Sequence, residues 1–221
     1  MITLDPVVVL VLSTEFQKLP DTVKALVYAS PTATEQMAAL MQAGYSIDVT
    51  QNLNVAARFD PNEKVIQINA ATMSYFSSGD ASDIDYQARM LISSISHEMG
   101  HAISHLNLFA SVAYTVNQYV DLLAAGEARS MMNQMLISSQ LEAGGVRDII
   151  NSGYGSDGEL TSAWNSFTSH KNVDTLLQQY KDMVLNYSWS GPGAVDLNGD
   201  GKVNMTDKYI QSWDGSPRSI W

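Results

Sequence analysis

From Asp83 to about Leu108, apolar residues return every three or four positions. On a helical wheel of about 100° per residue with Ala88 at zero, Leu91, Ile92, Ile95, Met99, Ala102, Ile103 and Leu106 fall within roughly 60° of it. The spacing predicts one long amphipathic helix, the strongest in the protein. A second helical stretch covers about 112–141 and stops at Gly144-Gly145. Residues 21–43 predict one or two short helices, broken at Pro31 and closed at Gly44, and two more helices fill 160–187. Between them, SIDVT and NLNVAARF alternate like strands. DPNE at 60–63 is a turn with proline second, and VIQIN at 65–69 pairs back as the other arm of a hairpin. The β-branched run Val7–Leu12 reads as a buried strand, far too short to span a bilayer. The pattern predicts an α+β protein, mainly helical, with a small N-terminal sheet whose edge strand precedes the long helix. SWSGPGAV at 188–195 is a linker in composition. It divides a main domain over residues 1–187 from a C-terminal segment, 188–221, packed on it.

Composition narrows the partners. Of 221 residues 45% are apolar, enough for a sizeable core. The formal net charge of −11, from 23 acids against 12 bases, disfavours nucleic acid and anionic membranes and favours cations or basic partners. With no cysteine, thiolate zinc sites, disulfides and cysteine nucleophiles are excluded. The N-terminal apolar run lacks a basic flank and follows Asp5 and Pro6, so it is not a recognisable signal peptide.

The long helix carries its chemistry on the face away from the apolar stripe. His97, Glu98, His101 and His105 lie about 180–280° from Ala88, beside small Ser94 and Gly100. Histidines there face solvent or a cleft. His97 and His101 are one turn apart, so both imidazoles can reach a single zinc ion. Glu98, about 100° further round, cannot share the ion comfortably but can touch water bound to it. That is the logic of H-E-x-x-H: two ligands and a proton acceptor. His105 extends the ladder to about 12 Å of helix axis, too long for one tetrahedral ion. The longer H-E-x-x-H-x-x-G-x-x-H pattern needs glycine at 104 and histidine at 107, where this protein has Ser104 and Asn107. His105 therefore reads as a supporting or surface residue.

Without cysteine or a further nearby histidine, the third ligand should be a carboxylate. Glu127 is preferred, because Val116, Val120, Leu123 and Met131 surround it in an apolar stripe where an ionised group needs compensation. The competing assignment pairs it with Arg89 or Arg147. A tight hairpin turning near Phe109 would carry Glu127 about 14 Å past His101, so this choice requires a loop or kink between about 109 and 118. Asp121 suits a tighter hairpin but points about 120° away from the stripe.

HEMGH followed by GEARS on a downstream helix resembles the gluzincins, zinc metallopeptidases whose third ligand is a glutamate on a second helix; the resemblance covers about residues 45–140. It implies a zincin-like fold and peptide-bond hydrolysis, with Glu98 as general base and zinc polarising the scissile carbonyl. It also implies that VIQIN is the edge strand along which a peptide lies extended. His170, Tyr154 and Tyr180 are candidates for stabilising the oxyanion.

DLNGDGKVNMTD at 196–207 has a separate grammar. Asp196, Asn198 and Asp200 stand at loop positions 1, 3 and 5, Gly201 at 6, the Lys202 carbonyl at 7, Asn204 at 9 and Asp207 at 12. Alternating oxygen ligands around a glycine turn suit Ca²⁺. With aspartate at position 12 and GPGAV in place of an entering helix, the loop resembles a dockerin-type calcium repeat, but a single one, which fits a structural clamp better than cohesin binding. Two function classes follow. One is a zinc endopeptidase acting on protein or peptide, exported and bacterial, a toxin or effector part of a larger parent chain or one held by an inhibitory partner. The other is a calcium-dependent binding or adhesion module with a non-catalytic zincin-like fold. The intact Glu98 favours the first, and the calcium loop favours a secreted or extracellular setting for either.

Overall fold

The computed structural model describes residues 4–107, 115–149, 154, 157–190 and 193–213. Its elements in order are α1 (Pro6–Leu12), α2 (Asp21–Ala29), α3 (Pro31–Gln42), β1 (Ser46–Thr50), β2 (Ala57–Asp60), β3 (Val65–Asn69) and α4 (Ala70–Ser78). The long α5 (Ala81–Asn107) and α6 (Val116–Ala143) follow, then α7 (Asp157–His170), α8 (Val173–Asn186) and α9 (Met205–Ser212). The class is α+β, mostly helical with one small sheet.

The first departure from expectation is α1. The run Val7–Leu12 is a helix, not a buried strand: the Asp5 side chain accepts the Val7 N–H at 2.8 Å and Pro6 occupies the first helical position. A cap and a pre-set φ outweigh the β preference of valine. Only Val9 and Leu10 of this helix are buried. At the next boundary the sequence reading holds: Ser30 caps α3, Pro31 starts it, and Gly44, at φ +79°, turns the chain out of it.

The sheet has the order β1-β3-β2, with β1 parallel and β2 antiparallel to β3. VIQIN is therefore the central strand, with Val65, Ile66 and Ile68 buried. The strand beside the long helix is β2. The hairpin alone would leave VIQIN on an edge; the parallel pairing of SIDVT, invisible in local pattern, closes that side. Asn69 N–H donates to Ala56 C=O at 2.9 Å and residues 58 and 67 face each other. In an antiparallel ladder main-chain groups alternate sides, so those of Ala57 and Phe59 point away from β3 to the open edge.

The predicted stripe of α5 is buried at every position from Ala88 to Ala102 and joins α1–α3 and the sheet in one core. A second core gathers α7, α8 and α9 against the first two-thirds of α6, whose last turns (Ile137, Leu141) return to the first core. The C-terminal segment packs there through Met205 and Tyr209. The helices α5 and α6 thus form the seam between the two cores. At their crossing a Cβ on Gly100 would stand 2.7 Å from Ser130 Cα, so only glycine permits this approach.

Replacing Gly100 by alanine should cost about 1–3 kcal/mol of unfolding free energy by overpacking this seam. Gly158→Ala in α7, where an added Cβ meets nothing within 4 Å, should be neutral or stabilising. Urea titrations compare them; a Gly100→Ala protein as stable as wild type would disprove the close crossing.

Candidate metal centre

Gly100 lies between His97 and His101, so the turn that makes the closest helix crossing also carries both histidines. Glu127 faces it from α6, one turn before Ser130. His97 Nε2 lies 3.2 Å from His101 Nε2, and Glu127 Oε2 lies 3.3 Å from the first and 3.4 Å from the second. These three atoms form a nearly equilateral triangle. Ligands about 2.05 Å from a tetrahedral zinc stand about 3.3 Å from one another, so the donor set has the right size and chemistry for such an ion. Among the described residues this is the one group of three or more histidine or acidic side chains whose ligand atoms converge, and it could hold a metal ion.

Electrostatics fits a cation here. Burial works against charging His97, yet the Glu127 carboxylate and the Glu98 charge outweigh it and raise its pKa. Burial alone would raise the Glu127 pKa, but His101 and His97 hold it far below the usual carboxylate range. Arg89, one alternative partner for Glu127, is engaged with Asp85 and Asp148 instead. Asp121 pairs with Lys181 and is exposed, away from the histidines. The overshoot expected of a tight hairpin does not arise: Glu127 Oε2 lies 3.3 and 3.4 Å from the two imidazole nitrogens.

Glu98 lies in the same cleft, and its Oε2 accepts the Phe59 N–H at 2.8 Å. The open side of β2 thereby fixes the carboxylate, leaving Oε1 for other work. The cleft has a volume of about 720 Å³ and is walled by β2 with the residues before it, by α5, and by Glu127, Tyr154, Tyr187 and Lys208. Tyr154 packs edge-on against Tyr187, ring centres 5.3 Å apart, and burial followed by the Glu127 charge keeps its phenol protonated.

The other candidates fall elsewhere. Tyr180 is fully buried in the second core and donates to Leu160 C=O, so it is not an oxyanion donor. Exposed His170 contacts Ser166 C=O through Nδ1 at the end of α7, and neither residue lines the cleft. The side chain of His105 lies outside the described residues. Sequence reasoning missed Arg58, Tyr187 and Lys208, which come from a short strand, the end of α8 and the residue just after the 196–207 loop, none of them marked by a motif for this cleft.

In the loop at 196–207, Gly199 and Gly201 have φ near +80°, as a tight ligand loop needs. Asp196 accepts the N–H groups of Gly199 and Gly201, and the Asn198 and Asp200 side chains accept those of Asp200 and Lys202. Asp207 is fully buried; it accepts from Leu197, Asn198 and Asn204, and with Asn204 forms the capping box of α9. The Asp196, Asp200 and Asp207 carboxylates turn toward backbone rather than converging on one point.

If Glu127 completes the triangle, His97→Ala with His101→Ala should abolish stoichiometric metal uptake, and Glu127→Gln should weaken it at least tenfold. Asp121→Asn should leave it unchanged. Titration calorimetry with Zn²⁺ decides; uptake that survives Glu127→Gln but not Asp121→Asn would remove Glu127 from the set.

No protein-family model, no curated protein and no solved structure matches this chain; its functional reading stands on its own geometry.

Proposed function

We propose that the protein is a zinc-dependent endopeptidase with a zincin-like arrangement. The observation that carries the reading is the His97–His101–Glu127 triangle opening on a cleft that also holds a strand-anchored Glu98. Zinc bound there would act as a Lewis acid toward a peptide carbonyl and make water acidic enough to lose a proton near neutral pH. The remaining work belongs to the chain. The main-chain groups of Ala57 lie on the side of β2 turned away from β3, so an extended peptide can add to the sheet there by strand pairing. Glu98, held through Oε2, takes the proton of the attacking water at Oε1 and passes it to the departing amine. The Tyr154 hydroxyl, kept protonated, donates toward the oxygen on which negative charge develops.

The residues at 196–207 are proposed as a Ca²⁺ clamp for the C-terminus, supported by the two left-handed glycines and the alternating oxygen side chains. Millimolar calcium outside cells suits such a loop, and with it an exported protein. No helix among the described residues is long and apolar enough to cross a membrane. A calcium-dependent binding module without catalysis draws support from the loop alone and gives Glu98 no task.

Two outcomes follow. Glu98→Gln should keep its metal and fold yet lose about 10²–10⁴-fold in peptide hydrolysis, the usual contribution of a general base, measured on a peptide library with and without chelator. Activity within a few-fold of wild type would remove Glu98 from the mechanism. Millimolar Ca²⁺ should raise the Tm of the wild type and not of Asp196→Ala/Asp200→Ala, since a ligand of the folded state stabilises it by mass action. Equal melting curves with and without calcium would refute the clamp.

A further inference from the structure

The charge in the cleft wall has a specific arrangement. Four cations elsewhere in this acidic protein are matched to carboxylates: Lys18 with Glu15, Lys24 with Asp21, Arg89 with Asp85, and Lys181 with Asp121. The two cations that line the cleft, Arg58 and Lys208, have no carboxylate partner among the described residues. Arg58 is held by a neutral acceptor instead. Its Nε and Nη2 donate to Gln67 Oε1 at 3.2 and 2.6 Å, across the strand pair where the two residues face each other. The guanidinium is thereby oriented while its charge stays uncompensated. Lys208 follows immediately on Asp207, whose bonds to three backbone N–H groups fix the first turn of α9. Its side chain is exposed at the cleft, on a rigid base.

The acids of the same cleft are already engaged: Glu127 by the two imidazoles, and Glu98 through the Phe59 N–H. An extended chain laid on β2 would therefore meet two unneutralised cations, Arg58 held in place by Gln67 and Lys208 on the first turn of α9, against an otherwise largely apolar and aromatic wall that includes Val55, Tyr154 and Tyr187. A basic side chain there is repelled by both, whereas an acidic one is attracted by both.

We infer that the cleft selects polypeptide substrates carrying aspartate or glutamate close to the scissile bond, with Arg58 and Lys208 as the specificity-determining residues. The inference rests on the peptidase reading for the word substrate, but its test is a binding measurement that needs no turnover.

The zinc-loaded Glu98→Gln protein is titrated, by fluorescence anisotropy, with three labelled peptides of one extended sequence that differ only in flanking Glu, Gln or Lys. At low salt the Glu peptide should bind at least about threefold more tightly than the Lys peptide, the scale of exposed charge pairs, and the margin should shrink with added salt. Adding Arg58→Gln and Lys208→Gln should erase the preference, and Arg58→Glu with Lys208→Glu should invert it. Both side chains are exposed, so these changes leave the core untouched. Equal affinity for the three peptides, no binding of any, or a preference unmoved in the charge-reversed protein would overturn the inference. Charge-selective binding by a protein whose wild type cleaves no peptide would leave the selectivity standing and defeat only the peptidase reading.

Discussion

The close crossing of α5 over α6 is the constraint on which the rest depends. Without a side chain at Gly100 the two backbones approach until Ser130 Cα occupies the space of the missing Cβ. The histidines sit three residues before and one after that glycine, and Glu127 sits three residues before Ser130. Contact at this point therefore sets the triangle on one turn of each helix. The two cores that flank the seam hold it closed, because α6 lends its first two-thirds to one and its last turns to the other. The result is a half-buried anionic carboxylate against two imidazoles, a combination that a cation relieves better than a proton shared among three groups.

The sheet contributes a second, smaller constraint. Its short strand β2 spends one set of main-chain groups on β3 and turns the other away from it. One member of the outward set, the Phe59 N–H, is spent on Glu98. The carboxylate that would move protons and the edge on which a chain would lie are thus parts of one rigid object. Tyr154 and Lys208 close the cleft from the second core, so its far wall depends on the packing of the C-terminal segment.

How much of this could be read beforehand follows from the range of the forces involved. The stripe of α5, its histidine face, the stop at Gly144 and the Pro31 break are written in local periodicity and capping, and they stand in the structure. The placement of Glu127 near the histidines came from the cost of burying a charge, an argument that needs only the stripe around it. What local pattern could not show was long-range. β1 pairs with β3 in parallel across nineteen residues of register, which moves VIQIN from edge to centre. The helix α1 was hidden by its β-branched residues, although Asp5-Pro6 carried the cap that decides it. The helix α4 has weak amphipathicity and begins at an asparagine cap, Asn69, inside what read as the end of a strand. Tyr187 and Lys208 carry no signal for the cleft, because the strand and helix that form its other walls lie far upstream in the sequence.

The proposed zinc site takes two histidines and one glutamate as ligands and leaves one position open to the cleft. Zinc K-edge X-ray absorption on protein loaded with one equivalent reads that arrangement directly. Such a site gives four nitrogen or oxygen neighbours at about 2.0–2.1 Å, with outer-shell scattering from two imidazoles, and loses one protein ligand's contribution in Glu127→Gln. A spectrum with six oxygen neighbours and no imidazole signature would contradict it.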